Sequence, residues 1–578
     1  MTKKYKLIGN NDLNNILKQT LQNRGIMEDF FQKIDKKNEI SYKNLKNMTK
    51  GVQLFKKHTD KSSSILIVTD KDIDGFTSSA IIHRYILDNF ECKVENIQHI
   101  KRENGLTPYI MSQIALRIEN GNKPDLIILP DASSNDTVQH FALNEQDIDV
   151  LVLDHHEVNV EIPESDYTVV INPQISPDYT NKQISGVGVT YKFLQALDEE
   201  FGLNSADDNI DLVAFGNIGD TMSMAQVDTR SMVQRGLKNL KNETLRELVF
   251  KNKHYDRHLS VHAISWDVLP KLNALIRVGE PEELQFVYEG LLGYEGEFEN
   301  PRARNPKNKV ETWAQKATRL CTNAHGKQRR IRNELMDTAV EFIEENGLDK
   351  YNIILVPMKD YFTKGLTGTV ASQLTNLYGK PVSLMNYNPE TKIYSGSSRG
   401  METVLPDLKA YYESTGLVEY VIGHSNAHGI AVHEDNLEAL YKHIEENVEF
   451  SGVIEVDFEI DYKDVNSALF KELNDLEVYW GKDIEPPVFA VKNVPLPLKP
   501  MEYKPSVTKV KDAGKEITTF SLPTELKELV GQEKIAHSTL IGTLSINRFF
   551  NNVADQILVE SFIVEKIEDE EELYGFNF

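Results

Sequence analysis

Cysteine and long apolar runs are both scarce in this chain of 578 residues. The two cysteines, Cys92 and Cys321, cannot form a disulfide framework and show no metal-ligand spacing, which favours a reducing compartment. No apolar stretch is long enough to cross a membrane, and the N-terminus lacks the pattern of a signal peptide. We therefore expect a cytoplasmic protein that acts without a membrane.

Positive charge is also in deficit, since 64 Lys and Arg face 88 Asp and Glu, for a net charge of −24. This excludes a uniformly basic surface for nucleic acid, but a local basic groove remains open because binding depends on the local field. Residues 301–332 are rich in Lys and Arg, either as a solvated helix face or as a path for a single strand. The acidic end, IEDEEELYGFNF, is expected to be a solubilising tail, with docking to a basic partner as the alternative.

Five short apolar runs alternate with amphipathic segments between residues 62 and 172. They are ILIV (65–68), VENIQHI (94–100), LIIL (126–129), VLVL (150–153) and VVI (169–171). Val- and Ile-rich runs of this length, separated by helical stretches, predict buried strands of a parallel sheet.

The remaining patterns predict several further domains. Residues 184–250 and 310–346 have helical patterns, a second α/β pattern starts near NIILVP (352–357), and alternating strands begin at about residue 452. The predicted fold class is α/β: a parallel-sheet domain joined by a long helix to a second, smaller α/β domain, followed by a β-rich domain. The predicted boundaries are 1–60 (N-terminal helical segment), 61–260 (parallel-sheet domain), 261–347 (helical connector), 348–450 (smaller α/β domain), 451–566 (β-rich domain) and 567–578 (acidic tail).

Carboxylates and imidazoles directly follow three of the apolar runs. VTDKDIDG continues the first run, LIILPD the third and VLVLDHHE the fourth, while NIGD ends a predicted buried helix. Because ligands of an open parallel sheet lie at the carboxyl ends of its strands, these four pieces would meet at one edge. The side chains concerned are Asp70, Asp72, Asp74, Asp131, Asp154, His155, His156 and Asp220.

Each piece alone has an ordinary explanation, because Asp and Gly form turns and a lone DHH is usually a capping cluster. Together they would place many like charges in a partly desolvated crevice, which is costly unless a cation compensates. Carboxylate oxygens mixed with imidazole suit Mn²⁺ or Mg²⁺ better than a structural zinc. We therefore predict a site for two such ions, with a bridging Asp131 holding them about 3.5–4 Å apart.

The four pieces, in this order, resemble the motifs of the DHH phosphoesterases, and their wider context resembles the RecJ-like single-strand-specific 5′→3′ exonucleases. Matching segments include ISGVGVTYKFL (184–194), LPKLNALIRVGEP (269–281), SGSSRG (395–400), GHSNAHG (423–429) and STLIGTLSINRFF (538–550). The resemblance covers nearly the whole chain. It implies that residues 61–260 are the DHH catalytic domain, 348–450 the DHH-associated substrate-binding domain and 451–566 an OB-like nucleic-acid-binding domain.

The resemblance also implies roles for single residues. Asp154 would either touch a metal ion or orient the imidazole pair, and His156 would contact the scissile phosphate or protonate the leaving group. We expect Asp72 and Asp74 to be stronger ligands than Asp70. The implied metal ligands are Asp70, Asp72, Asp74, Asp131, His155 and Asp220.

Nucleic-acid contacts are implied in three places. Arg102, Ser397 and Arg399 would hold a 5′-terminal phosphate, and His424 would face the same cleft. Asn273 and Arg277 would contact the strand backbone nearby.

The implied activity is metal-dependent removal of mononucleotides from the 5′-phosphate end of single-stranded DNA, in repair, recombination or replication. A monomer is expected, with a single-strand-binding protein or a helicase as candidate partner. The alternatives are a DHH phosphodiesterase acting on short oligonucleotides or cyclic dinucleotides, and a non-catalytic replisome scaffold. The chain departs from the family pattern in DASSND, which lacks the usual Asn and Gly after Asp131, in DYFT (360–363), and at Ile422, which replaces a glycine.

Overall fold

The computed structural model describes residues 4–26, 35–100, 103–251, 259–300, 303, 309–359, 366–401, 405–448, 453–504, 507–520, 522–549 and 552–569. The chain divides into two compact units. The first unit comprises residues 26–326 and 476–485, and the second unit comprises residues 1–25, 327–475 and 486–578.

The elements of the described residues are numbered in chain order. The strands are β1 (Lys4–Leu7), β2 (Ser64–Thr69), β3 (Lys93–Gln98), β4 (Leu126–Pro130), β5 (Asp149–Leu153), β6 (Thr168–Ile171), β7 (Glu297–Glu299), β8 (Val310–Thr312), β9 (Ile354–Met358), β10 (Val382–Asn388), β11 (Ile393–Arg399), β12 (Tyr420–His424), β13 (Ala427–His433), β14 (Val453–Val456), β15 (Phe458–Asp461), β16 (Phe489–Pro497), β17 (Glu502–Lys504), β18 (Val507–Asp512), β19 (Lys515–Thr519), β20 (Lys534–Phe549) and β21 (Asn552–Asp569). The helices are α1 (Ile16–Asn23), α2 (Met48–Thr59), α3 (Ile73–Asn89), α4 (Pro108–Glu119), α5 (Thr137–Asn144), α6 (Gly186–Phe201), α7 (Ile210–Gly219), α8 (Val227–Lys238), α9 (Glu243–Phe250), α10 (Val261–Ala263), α11 (Leu269–Val278), α12 (Pro281–Leu291), α13 (Trp313–Glu345), α14 (Thr367–Tyr378), α15 (Leu408–Thr415), α16 (Leu437–Asn447), α17 (Ser467–Asp475) and α18 (Thr524–Lys527).

A five-stranded parallel sheet in the order β3-β2-β4-β5-β6 forms the centre of the first unit. Each of the five predicted apolar runs lies on one of these strands, which confirms the predicted α/β fold class. All five residues of β4 and of β5 are buried, because helices cover both faces of a parallel sheet. The carboxyl ends of the strands therefore form one edge.

Two helices of the first unit begin with caps that fix the residues of this edge. Asp72 caps α3 by accepting a hydrogen bond from the Gly75 N–H at 2.9 Å. Ser185 caps α6 in the same way, with the Gly188 N–H at 3.2 Å. A side-chain oxygen at this position satisfies one of the open N–H groups of the first turn.

The second unit contains a five-stranded sheet in the order β12-β13-β11-β10-β9. Apolar side chains of α13 and α14 form a core with residues of β9 and β10 on one face. The opposite face packs against α15 and α16. Part of the first face, over β11, β13 and β12, carries exposed or half-buried residues.

The β-rich region forms a seven-stranded sheet in the order β15-β16-β20-β21-β19-β18-β17. Its main feature is the long hairpin of β20 and β21. This confirms the predicted β-rich C-terminal part of the fold.

Two stretches differ from the predicted secondary structure. Residues 4–7, predicted as part of a helical segment, form β1 and pair in parallel with β14. Tyr5 and Leu7 pack beside Val456 in a small core, so long-range burial overrides the weak local preference of a four-residue segment. The acidic tail was predicted to begin at residue 567, but β21 continues to Asp569 because it pairs with β20; residues 570–578 lie outside the described residues. None of the described helices is both long and apolar enough to span a membrane.

Candidate metal centre

Three neighbouring strands deliver acidic side chains to the same edge of the first unit. Asp70 directly follows β2, Asp131 follows β4 and Asp154 follows β5. All three are at most 4% exposed. The strand order therefore brings together the residues that the sequence placed at strand ends.

His155 lies at the centre of a cluster of carboxylates. Its Nε2 is 3.2 Å from Oδ1 of Asp131, 3.5 Å from Oδ2 of Asp220 and 3.9 Å from Oδ2 of Asp74. Asp220 comes from the C-terminal end of α7. Three other segments of the chain thus converge on one imidazole nitrogen.

The protonation of this cluster indicates a cation. Burial, together with the nearby His156, lowers the pKa of His155 to about 4, so its ring is neutral and carries one N–H. Its Nε2 faces oxygens of three carboxylates. A neutral imidazole nitrogen surrounded by carboxylate oxygens is the kind of donor set that a divalent metal ion takes.

The carboxylates of the cluster repel one another, and no positive charge beside them among the described residues compensates for their burial in full. Burial, followed by the charge of Asp72, raises the pKa of Asp74 to about 7, and burial followed by Asp74 raises that of Asp220 to about 8. Burial and neighbouring carboxylates also raise the pKa of Asp131 far above its ordinary value. Oδ1 of Asp131 is buried and accepts no hydrogen bond from the residues described. The site therefore fits a bound cation.

Close packing of glycine holds this arrangement. An added Cβ on Gly186 would lie 2.4 Å from Oδ1 of Asp131, so any other residue would displace the carboxylate. The N–H groups of Gly186 and Val187, at the start of α6, donate to Asp74 at 2.7 and 2.9 Å. Helix N-termini favour negative charge, which keeps Asp74 in place against its neighbours.

Asp70 and Asp72 each accept a hydrogen bond from a backbone N–H group. Asp72 caps α3, and Asp70 accepts a hydrogen bond from the Gly105 N–H at 3.2 Å. Burial raises the pKa of Asp70 to about 6, although His99 and Gly105 oppose the shift. Nε2 of His99 is 3.4 Å from Asp70. The sequence prediction missed His99. The rule that ligands lie at the carboxyl ends of parallel strands could have identified it, because His99 directly follows β3.

Asp154 and His156 form a separate pair at the same edge. Oδ1 of Asp154 accepts hydrogen bonds from Nδ1 of His156 at 2.8 Å and from the N–H groups of His155 and His156. Burial would raise the pKa of Asp154, but His156 and Ser134 lower it below its ordinary value. The hydrogen bond that His156 donates to Asp154 raises the pKa of His156 to about 9. His156 is therefore a half-exposed imidazolium at neutral pH.

Further polar residues without a predicted role hold the His155–His156 turn. Asn172 donates to the carbonyl of His156 at 2.9 Å, and Gln174 donates to that of His155 at 3.1 Å. Both belong to INPQ (171–174), which follows the neighbouring strand β6. Its position at the sheet edge is the signal that could have identified them.

The departure from the family pattern after Asp131 has a conformational consequence. Asp131 has φ +67° and Ser133 has φ +81°, a region that glycine occupies without strain and L-residues rarely adopt. Ser133 stands where the family pattern has glycine. Its hydroxyl donates to Asp136 at 2.6 Å, which offsets part of the backbone cost.

The predicted phosphate-binding residues of the second unit lie together on the open part of the sheet. Arg399 pairs with Ala427, which pairs with His424, and Ser397 pairs in the same way through Gly429 to Ile422. Residues paired across a sheet share a face, so these rows place Ser397, Arg399 and the exposed His424 on one face of the sheet.

The start of α14 borders these two rows. Oγ1 of Thr367 is 2.9 Å from Oγ of Ser397, and an added Cβ on Gly368 would lie 2.7 Å from Nη2 of Arg399. By contrast, an added Cβ on Gly429 would meet only two backbone oxygens of the described residues, both at 3.7 Å. The space above Gly429 is therefore open, and we call this depression the Gly429 trough.

The remaining predicted contacts are less closely defined. Asn273 and Arg277 lie on α11, which packs against α3 within the first unit, and both are half-buried. Arg102 lies outside the described residues.

Comparisons with known proteins identify the class and the family. A family model described as "DHH family, N-terminal domain" matches residues 64–217. The putative SPbeta prophage-derived single-strand DNA-specific exonuclease YorK of Bacillus subtilis strain 168 is 31% identical over 583 residues, which cover 98% of this chain and 99% of YorK. The single-stranded-DNA-specific exonuclease RecJ of the same strain is 24% identical over 544 residues, covering 90% of this chain but 64% of RecJ.

A solved structure shares the fold. RecJ from Thermus thermophilus in complex with Mn²⁺ matches with a TM-score of 0.65 and 19% identity, covering 95% of this chain and 76% of that one. The parallel sheet and the strand-end residues from Asp70 to His156 belong to the DHH class, since the DHH model spans them, while Asp220 follows three residues after the matched range. By its similarity to YorK along nearly the whole chain, the protein belongs to the RecJ-like family of DHH proteins.

Proposed function

We propose that the protein is a metal-dependent exonuclease that hydrolyses single-stranded DNA from the 5′ end to mononucleotides. The observation that carries this proposal is the convergence of Asp74, Asp131 and Asp220 on Nε2 of His155. YorK and RecJ, the relatives described above, are named as single-strand DNA-specific exonucleases, which supports the substrate. A full set of ligands favours an enzyme over a non-catalytic scaffold.

Two Mn²⁺ or Mg²⁺ ions would be held by Asp70, Asp72, Asp74, Asp131, His155 and Asp220. When bound, such ions neutralise charge on a scissile phosphate and lower the pKa of an attacking water. Two contacts hold these ligands in position. The N-terminus of α6 donates a hydrogen bond to Asp74, and Gly186 packs against Asp131.

His156 supplies a proton beside this centre. Asp154 fixes the ring through Nδ1, which leaves the Nε2–H of the imidazolium free to point away from Asp154. A half-exposed cation can donate to a phosphate oxygen or to the departing 3′-oxygen of the nucleotide. The carbonyl contacts of Asn172 and Gln174 keep the turn that carries the ring in place.

The Ser397–Arg399 rows supply the anchor for the 5′-phosphate. Arg399 offers a forked donor and Ser397 a hydroxyl beside the start of α14. Strands are about 4.8 Å apart, so the two rows extend about 10 Å from Ser397 to Ile422 across the Gly429 trough. This length accommodates the sugar and base of one nucleotide next to its phosphate.

The test compares linear and circular single-stranded DNA of the same sequence in Mn²⁺. An exonuclease degrades the linear form and leaves the circle intact, and EDTA stops the reaction. Cleavage of the circle would show an endonuclease, and activity in EDTA would exclude the metal centre as its source.

A further inference from the structure

Trp266 is an exposed aromatic side chain for which the proposed chemistry has no role. Its side chain is 69% exposed, whereas Trp480 is 4% exposed. Trp313 stacks on Phe286, with ring centroids 4.4 Å apart, and donates its indole N–H to the Phe286 carbonyl. The sequence has three tryptophans, so Trp266 alone of them is left open to solvent.

The backbone at Trp266 is irregular for a definite reason. Residues Ile264–Val268 form a π-helical turn, in which the Leu269 N–H bonds to the Ile264 carbonyl five residues back. Pro270 has no N–H to give to the carbonyl of Trp266, so the regular α-helical bond is absent there. π-turns within helices are rare and are frequently found at functional sites.

The position of Trp266 connects it with the proposed nucleic-acid contacts of the first unit. Asn273 and Arg277 lie on α11, the helix that continues from the π-turn, and both are half-buried there, while Leu272 and Leu275 are buried in the core. The ring of His262 lies beside it, 5.9 Å between centroids.

The same segment lies next to the end of the metal edge. An added Cβ on Gly481 would be 2.5 Å from Met224 and 3.3 Å from Val261. Met224 follows the candidate ligand Asp220 by four residues, and Val261 precedes Trp266 by five. The segment that carries Trp266 and the segment that follows Asp220 therefore both pack against Gly481.

We propose that Trp266 is a stacking platform for a base of the strand being degraded, with Asn273 and Arg277 contacting the phosphates alongside it. This inference rests on the proposed function. Stacking tolerates any base because every base has a flat face, as required of an enzyme that removes nucleotides in turn. Bases in a duplex are already stacked, so an indole platform also favours a single strand.

Binding of 5′-phosphorylated oligothymidylate in Ca²⁺, instead of Mn²⁺, tests the proposal through tryptophan fluorescence and through anisotropy of a labelled strand. We expect the parent protein to lose fluorescence on binding. Trp266→Phe should bind about as well but show no such loss, and Trp266→Ala should bind about 10-fold more weakly. Phe141→Ala removes another exposed aromatic of the first unit, 65% exposed on α5, and should bind like the parent.

The outcomes separate this inference from the proposed function. If the parent binds and degrades the strand but its fluorescence is unchanged, or if Trp266→Ala binds as the parent does, the platform is wrong and the exonuclease stands. If the parent in Mn²⁺ degrades no single strand, the proposed function is wrong and the inference fails with it.

Discussion

Asp154 accepts a hydrogen bond from Nδ1 of His156 at 2.8 Å, and this bond raises the pKa of the imidazole to about 9. The carboxylate is 1% exposed while the imidazole side chain is 46% exposed. A buried anion thus holds a cation at the surface of the site, where we propose that it donates a proton.

Replacing Asp154 by Asn keeps the shape of this pair and removes its charge. We expect the pKa of His156 to fall from about 9 towards its ordinary value and kcat to fall about 10- to 100-fold. Histidine NMR titration checks the first expectation and a pH–rate profile the second. In the parent the imidazolium persists below about pH 9, so activity should decline above that pH, whereas in the variant the decline should begin at lower pH. Identical profiles would remove His156 from the reaction.

Asp131→Ala removes the carboxylate whose Oδ1 accepts no hydrogen bond from the described residues. Cleavage should be abolished while binding of single-stranded DNA is largely kept, because the proposed anchors lie elsewhere. Glu145→Ala, which removes an exposed carboxylate of the same unit, should change neither property. Unchanged turnover of the Asp131 variant would contradict the ligand assignment.

The response of the melting temperature to Mn²⁺ should depend on pH. Burial raises the pKa values of Asp70, Asp74 and Asp220 to about 6, 7 and 8. Between pH 5 and pH 8 the metal-free folded protein therefore holds more protons at these groups than the unfolded chain, so they make its stability fall as the pH rises. Because Mn²⁺ must displace these protons, the gain in melting temperature should be larger at pH 8 than at pH 6. An equal gain at both values would contradict the assignment of these carboxylates as ligands.

Arg399→Ala should weaken the preference for a 5′-phosphate over a 5′-hydroxyl end while leaving the Mn²⁺ response of the melting temperature intact. The reason is that Arg399 belongs to the second unit and its fork is proposed to grip only the terminal phosphate. Initial rates on the two substrates measure the preference. If the variant treats both ends as the parent does, the anchor lies elsewhere.

Gly429→Val tests the trough itself. The nearest described atoms lie 3.7 Å from an added Cβ, and valine is a favourable strand residue. The circular dichroism spectrum and the melting temperature of the variant should therefore match those of the parent. The side chain would occupy the space assigned to the terminal nucleotide, so KM should rise, with a smaller rise for Gly429→Ala. Wild-type kinetics in the valine variant would show that the trough is not used.

The buried strands and the acidic edge could be predicted because their signals are local. Strands covered on both faces appear as unbroken apolar runs such as VLVL in β5, and parallel topology places their ends together. The grouping of Asp131 and His155 followed from these two rules, whereas Asp220 lies at the end of the helix α7.

The features that could not be predicted from the sequence depend on contacts between residues far apart in the chain. The pairing of β1 with β14 joins Tyr5 to Ile454, and no periodicity in a four-residue segment encodes it. The row from Ser397 through Gly429 to Ile422 likewise depends on strand register, which burial and turn geometry set. The donors to Asp74, the Gly186 and Val187 N–H groups, are backbone atoms that leave no signature in residue type.

End-labelled oligonucleotides test the central claim most directly. Single-stranded DNA carrying a 5′-phosphate is labelled at either the 5′ or the 3′ end and incubated with the protein in Mn²⁺, with and without EDTA. The account predicts immediate release of a labelled mononucleotide from the 5′-labelled strand, stepwise shortening of the 3′-labelled strand, and no reaction in EDTA. Release of the label first from the 3′ end, or undiminished cleavage in EDTA, would contradict it.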